Sequence, residues 1–222
     1  MTQEPHPHSK VERHSPRGDA RRRAILDSAT RLFSENGFHV ATIAEIAEDV
    51  GISQAGLLHH FPSKSSLLLA VLRERDERSP RAIELNATSG AQYLQTFCGM
   101  LRDHEKTPAL MKLNALLSGE SLSDEHPAQE WFRTSYVQRI ESMRMALTKI
   151  INTTKLPPGT TIETVARWIV ALADGMRYQW LLEDTSFSRA DSIMQFLELL
   201  RPSFYDPQLD LQHEPGREET GL

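Results

Sequence analysis

The sequence has almost no cysteine, no long apolar run and no excess of positive charge. With Cys98 its one cysteine, it can close no internal disulfide, so a reducing compartment is expected. No apolar run approaches the roughly 18 residues that span a bilayer. The opening stretch MTQEPHPHSKVERHSPRGDARRR has no apolar core of the kind a signal peptide carries. These absences lead to the expectation of a cytoplasmic protein without a membrane partner. The net charge is −5, which speaks against indiscriminate nucleic-acid binding, but the charge is unevenly spread. Residues 1–64 are balanced, whereas residues 65–222 hold 17 Lys and Arg against 22 Asp and Glu. Lys10, Arg13, Arg17, Arg21, Arg22 and Arg23 gather early, as in a basic arm that can touch phosphate.

Enzyme signatures are missing as well. GISQAGLL at 51–58 has the glycine spacing of a phosphate loop without the Gly-Lys-Ser/Thr that loop requires. No dinucleotide fingerprint, nucleophile elbow or HExxH pair occurs. His59 and His60 are adjacent, so on a helix they point about 100° apart and do not share a metal. His6 and His8 sit in a polar tail with no further ligands. Neither an enzyme, a cofactor nor a metal site is expected.

What the sequence does have is helical rhythm nearly throughout, and 39% hydrophobic residues with which to build a core. Ile25, Ala29, Leu32 and Phe33 share one face of a first helix that begins near Arg21, and Gly37 is its natural stop. Thr42 and Glu45 have capping-box spacing, which predicts a second helix burying Ile43, Ile46, Ala47 and Val50. Gly51 supplies a tight turn, Ser53 caps a short third helix to about Phe61, and Pro62 breaks it. From Ser63 a longer helix carries Leu67, Leu68, Val71 and Leu72 to near Arg78. Punctuation beyond Pro80 leaves helices near 91–105, 109–120, 128–151, 162–182 and 189–201. The expected class is all-α, with a flexible basic tail at 1–18 and a three-helix head at 19–79. A larger helical domain at 80–203 and a loose tail at 204–222 follow.

Two helices around a glycine turn can be a generic helical corner or a helix-turn-helix that offers its second helix to the major groove. The flanking residues favour the second reading. From Arg21 to about Arg78 the arrangement resembles the DNA-binding head of the tetracycline-repressor (TetR) family. The resemblance rests on Ile25, Ala29, Leu32, Phe33 and Gly37, on Thr42, Ile46 and Ala47, and on Val50-Gly51-Ile52-Ser53, Phe61, Lys64 and Leu68. Two positions depart from it. Ala55-Gly56 stands where the family usually has glycine and then a small hydroxyl residue. Leu58 stands where a tyrosine is common, so that tyrosine's phosphate contact is not carried over. His60 fills the place of a second frequent aromatic.

The resemblance implies a homodimeric transcriptional regulator, most simply a repressor released by an unknown small-molecule effector and bound to a palindromic double-stranded operator. Gln54, Ala55 and Gly56 are then the residues nearest base edges, with Thr42, Ser53, His60 and Lys64 on phosphates and His59 a further DNA-binding candidate. Dimerisation falls to the helix at 162–182 and its successor. Their apolar arc exceeds the roughly 100° stripe of a surface helix, and Ala166, Ile169, Val170, Ala173, Trp180, Ile193, Phe196, Leu197 and Leu200 are the expected contacts. An effector cavity is implied among Phe97, Met100, His104, Met111, Asn114, Trp131, Tyr136, Met143, Trp168 and Gln179, although methionines and aromatics at such spacing also make ordinary core. The alternative is a helical dimeric scaffold that does not bind specific DNA.

Overall fold

The computed structural model describes residues 16–78, 89–183 and 187–211. The basic arm through Ser15, with His6 and His8, lies outside them, as do 212–222 and parts of two predicted loops. Within the described residues the chain is helical. Helix α1 (Pro16–Val40) is followed by α2 (Ile43–Val50), α3 (Gln54–His60), α4 (Lys64–Arg78), α5 (Gly90–Glu105) and α6 (Pro108–Glu120). Helices α7 (Gln129–Thr148), α8 (Ile162–Leu182) and α9 (Arg189–Leu199) complete the fold, with short 3-10 turns at Thr153–Lys155 and Arg201–Ser203. No helix among them is long and apolar enough to cross a membrane.

Helix α1 begins at Pro16, five residues before the start expected near Arg21. Proline at a helix start forfeits nothing, because that N–H has no intrahelical acceptor. The helix also runs past its expected stop: Gly37, at φ 78°, kinks it and Phe38–Val40 continue. The capping box at Thr42 forms in full, with Thr42 accepting from Glu45 N and Glu45 accepting from Thr42 N. Gly51 takes the left-handed conformation at φ 70°, returning the chain from α2 toward α3. Ser53 Oγ then accepts from Gly56 N at 3.1 Å to start α3.

Two apolar clusters form, and they do not divide at residue 80. Ile25, Leu26, Phe33, Ile46, Leu57, Leu67, Leu68 and Leu72 build the head, but Leu113 and Leu117 of α6 and Phe132 of α7 belong to the same cluster. The head is therefore fused to part of the second domain through shared core. The second cluster joins α5, α7, α8 and α9 around Leu94, Phe97, Met143, Leu147, Ile169 and Leu197. Cys98 lies inside it, and burial pushes its thiol up to about 12, as suits an inert core residue.

The C-terminal stretch is docked over 204–211 rather than loose. Phe204 and Leu211 are buried. Asn152 N donates to Ser203 O and Tyr205 N to Ile150 O, each at 2.8 Å. Arg201 holds the returning chain through Pro207 O and Leu209 O.

The residues expected at a dimer interface stand mostly inside the single chain. Ala166, Ile169, Val170, Ala173, Trp180, Ile193 and Leu197 are buried, and Phe196 and Leu200 pack half-buried on the same core. The broad apolar arc of α8 reflects a helix walled in by α6, α7 and α9. What it leaves outward is different: Trp168, Ala171, Gly175, Tyr178 and Leu182 are exposed, as is Leu199 of α9.

Candidate DNA interface and effector cavity

The head presents α3 outward on one side only. Leu57 is fully buried, while Gln54, Ala55, Leu58 and His59 are exposed and Gly56 and His60 are half-buried. A Cβ added at Gly56 would meet Ser53 Oγ at 3.3 Å, so this glycine keeps the cap tight. The His59 and His60 rings sit 5.8 Å apart in a T-shaped arrangement, and among the described residues no group of three metal-binding side chains occurs. Ser53 accepts one bond and keeps its own proton for an outside acceptor. Thr42 is exposed, but its hydroxyl donates to Glu45 Oε2 at 2.8 Å while it accepts from Glu45 N. That pair holds the Glu45 carboxyl below its usual range, because the hydroxyl and backbone bonds favour the ionised form.

Lys64 differs most from expectation. Its ammonium donates to Phe38 O at 2.8 Å, His39 O at 3.2 Å and Ala41 O at 2.9 Å. Three donors meet three carbonyls at the end of α1, with the charge 4.5 Å above the Phe38 ring. The charge closes a helix end, where cations are favoured, and all three ammonium protons are engaged there. Arg21 does a similar task at α2, donating to Val50 O at 3.2 Å. Arg31 meets Asp49 at 2.6 Å, with Ser28 on the other carboxylate oxygen.

The second site is a cavity of about 740 Å³ between α4, α5, α6, α7, α8 and the start of α9. Of the residues expected there, Phe97, Met100, His104, Met111, Asn114 and Trp131 line it. Four do not: Met143 is fully buried in core, Trp168 is 47% exposed on the outer face of α8, Gln179 is exposed, and Tyr136 acts through Asp174. Val170 and Ala173, expected at a dimer interface, line the cavity instead.

The cavity's charged residues were not anticipated. Arg75, Arg139, Arg177 and Arg189 all line it, against Asp174 and Glu141. Asp174 is surrounded: Arg177 pairs with it, Arg139 lies 3.7 Å away and Tyr136 donates to it at 2.8 Å. Arg177 also donates to Asn114 Oδ1 at 2.9 Å. Glu141 faces out and pairs with Arg144 at 2.6 Å. Burial depresses the His104 imidazole to about 4, and Arg75, Arg189, Arg177 and Arg139 push the same way. The legible signal was Asp174 and Arg177, three apart within an apolar arc, and Arg189 beside Ala190 and Ile193.

Residues 25–71 match the profile of the bacterial regulatory proteins of the tetR family. The transcriptional repressor AcnR of Corynebacterium glutamicum is 27% identical over 154 residues, which cover 69% of this chain and 78% of that one. Among solved structures, the regulator FadR of Bacillus subtilis, in complex with stearoyl-CoA, aligns with a TM-score of 0.64 at 17% identity, covering 80% of this chain and 96% of that one. A regulator from Saccharomonospora viridis, in complex with choline, aligns with a TM-score of 0.61 at 22% identity, covering 81% and 94%. The glycine-turned head is thus matched by the tetR family profile over residues 25–71, and the helical body shares the fold of these solved regulators.

Proposed function

We propose that the protein is a homodimeric repressor that holds a palindromic operator and releases it when a small molecule enters the cavity. The observation that carries this reading is the course of α4. It starts at Lys64, directly after the recognition helix, and its Arg75 lines the cavity wall. Eleven residues of helix separate the two, or roughly 16 Å at 1.5 Å per residue. A ligand that prefers one placement of α4 shifts the head with it, and differential affinity for the two placements is all that release requires. The shared core of Leu113, Leu117 and Phe132 gives a second mechanical tie between head and cavity wall. Two solved structures of this fold are themselves complexes with small molecules, stearoyl-CoA and choline, which accords with a ligand-responsive reading.

At the DNA, Gln54 is the side chain suited to read a base edge, since its amide both donates and accepts. Ala55, Gly56 and His59 allow close approach around it. Ser53 and His60 are assigned to phosphate. Thr42 and Lys64 act from behind as helix-end supports.

Dimerisation is assigned to the outward stripe of α8. Trp168, Gly175 and Leu182 recur every seven residues, with Ala171 and Tyr178 between them. That spacing lets two copies meet along one seam, and paired heads would read half-sites about one DNA turn apart. Selection of bound sequences from a random DNA pool tests the whole reading. The expected product is an inverted repeat, and Gln54→Ala should recover a repeat altered at one position of each half-site. Recovery of no common sequence would favour the scaffold reading.

A further inference from the structure

We propose that the cavity is built for a small organic acid, an apolar body ending in a carboxylate that Arg189 receives. The inference rests on the cavity being the effector site, and it adds the effector's chemistry.

Arg189 is 1% exposed and lines the cavity. Its Nη1 reaches only Met111 Sδ at 3.0 Å, a weak acceptor, and Nη2 reaches Ala173 O at 3.1 Å. Nε has no partner. Glu105 and Asp174 act on it from a distance, but among the described residues no carboxylate comes within 4 Å. Glu105 instead accepts from the Arg189 backbone N–H at 2.8 Å. A buried guanidinium without a carboxylate is costly unless something completes its hydrogen bonds. An incoming carboxylate does so: it matches the guanidinium fork and supplies the missing charge.

The surroundings select for the same sign. Arg177 and Arg139 already neutralise Asp174, and Arg75 stands 5.1 Å over the Trp131 ring. Burial and the four arginines hold His104 neutral, which marks a positive field at that end. A quaternary ammonium would meet repulsion here. The remaining wall, from Phe97, Met100, Leu101, Leu110, Met111 and Val170, is apolar and suits a hydrocarbon body. A single carboxylate fits better than a phosphate dianion, because the second charge would lose its hydration against that apolar wall.

The test is calorimetric titration of the full chain without DNA, using monocarboxylates from hexanoate to dodecanoate and phenylacetate. Their primary amides and choline serve as controls. At least one carboxylate should bind about tenfold or more tighter than its amide, the factor that 1.4 kcal/mol represents. Arg189→Met should reduce that acid to the affinity of the amide, whereas Arg189→Lys should retain part of the preference. Acids that bind no better than amides, choline binding tighter than any acid, or an unchanged preference in Arg189→Met each overturn the proposal. Because the titration contains no DNA, its failure leaves the operator reading untouched, and failure to select an operator leaves the titration valid.

Discussion

Glu120 and Phe38 are 82 residues apart, yet the Glu120 carboxylate accepts a hydrogen bond from the Phe38 backbone N–H at 2.9 Å. The bond lies at the kink of α1. A Cβ on Gly37 would run into Glu120 Oε1, so the glycine makes room for the acid as well as for the positive φ. His126 closes the other side, its Nε2 3.8 Å from Glu120 Oε2 and its Nδ1 accepting from Ala128 N at 3.2 Å. The end of α6 is thereby fastened to the end of α1, and α6 also supplies Leu110, Met111 and Asn114 to the cavity.

Removing that carboxylate should leave the part-buried Phe38 N–H without an acceptor. Glu120→Ala is expected to cost about 2 kcal/mol of stability, the usual loss when such a donor is stranded. Glu120→Gln keeps an acceptor oxygen and should cost less than about half as much. Urea unfolding of the two variants measures this, and equal losses would argue that charge, rather than the bond, matters there.

Lys64 makes a sharper contrast, because its expected role was electrostatic contact with DNA. Lys64→Met should lower stability by about 2 kcal/mol through three uncapped carbonyls. It should leave the slope of log Kd against log salt unchanged, since no phosphate contact is lost. A slope shallower by about one, with stability intact, would return Lys64 to the DNA surface.

The head was legible because its signals are local. Thr42 with Glu45, the Gly51 turn and the Ser53 cap each involve residues within a few positions, where steric rules and capping chemistry decide the outcome. Helix limits in the second domain followed from proline and glycine punctuation for the same reason. The faces of α8 did not. Periodicity reports that an arc is apolar and is silent on whether it meets its own chain or another, and here α6, α7 and α9 cover most of it. The cavity fell between these cases. Its aromatics and methionines were foreseeable, but Arg75, Arg139, Arg177 and Arg189 converge from four different helices.

His104 predicts an acid-sensitive fold. Its imidazole titrates at about 4 in the folded chain against an ordinary value of 6.5, chiefly through burial. The unfolded chain therefore binds more protons between those values, so stability is complete above about pH 6.5 and falls as the pH drops toward 4. The loss approaches about 3 kcal/mol by the linkage of roughly 1.4 kcal/mol per pKa unit. His104→Gln should flatten this portion of the stability profile. A carboxylate beside Arg189 should raise the His104 value, which proton NMR of the imidazole can follow. A wild-type profile that matches the variant between pH 6.5 and 4 would contradict the assignment.

Gly175 tests the proposed seam between two subunits. It is exposed midway along α8, and a Cβ placed there meets nothing within 4 Å of its own chain. Neighbouring Trp168, Tyr178 and Leu182 are large and outward, so the glycine and Ala171 form the low point of an otherwise bulky stripe. Low points of this kind let two helices approach closely, and filling one forces them apart. Gly175→Leu should therefore leave the subunit folded, since leucine favours helix over glycine by up to about 1 kcal/mol. It should also shift sedimentation from dimer to monomer and abolish operator binding with it, because one head alone reads only half a palindrome. Ala166→Leu is the control: Ala166 is fully buried, so the larger side chain should damage folding itself. If Gly175→Leu remains dimeric and binds DNA as before, the seam lies on another face of the molecule.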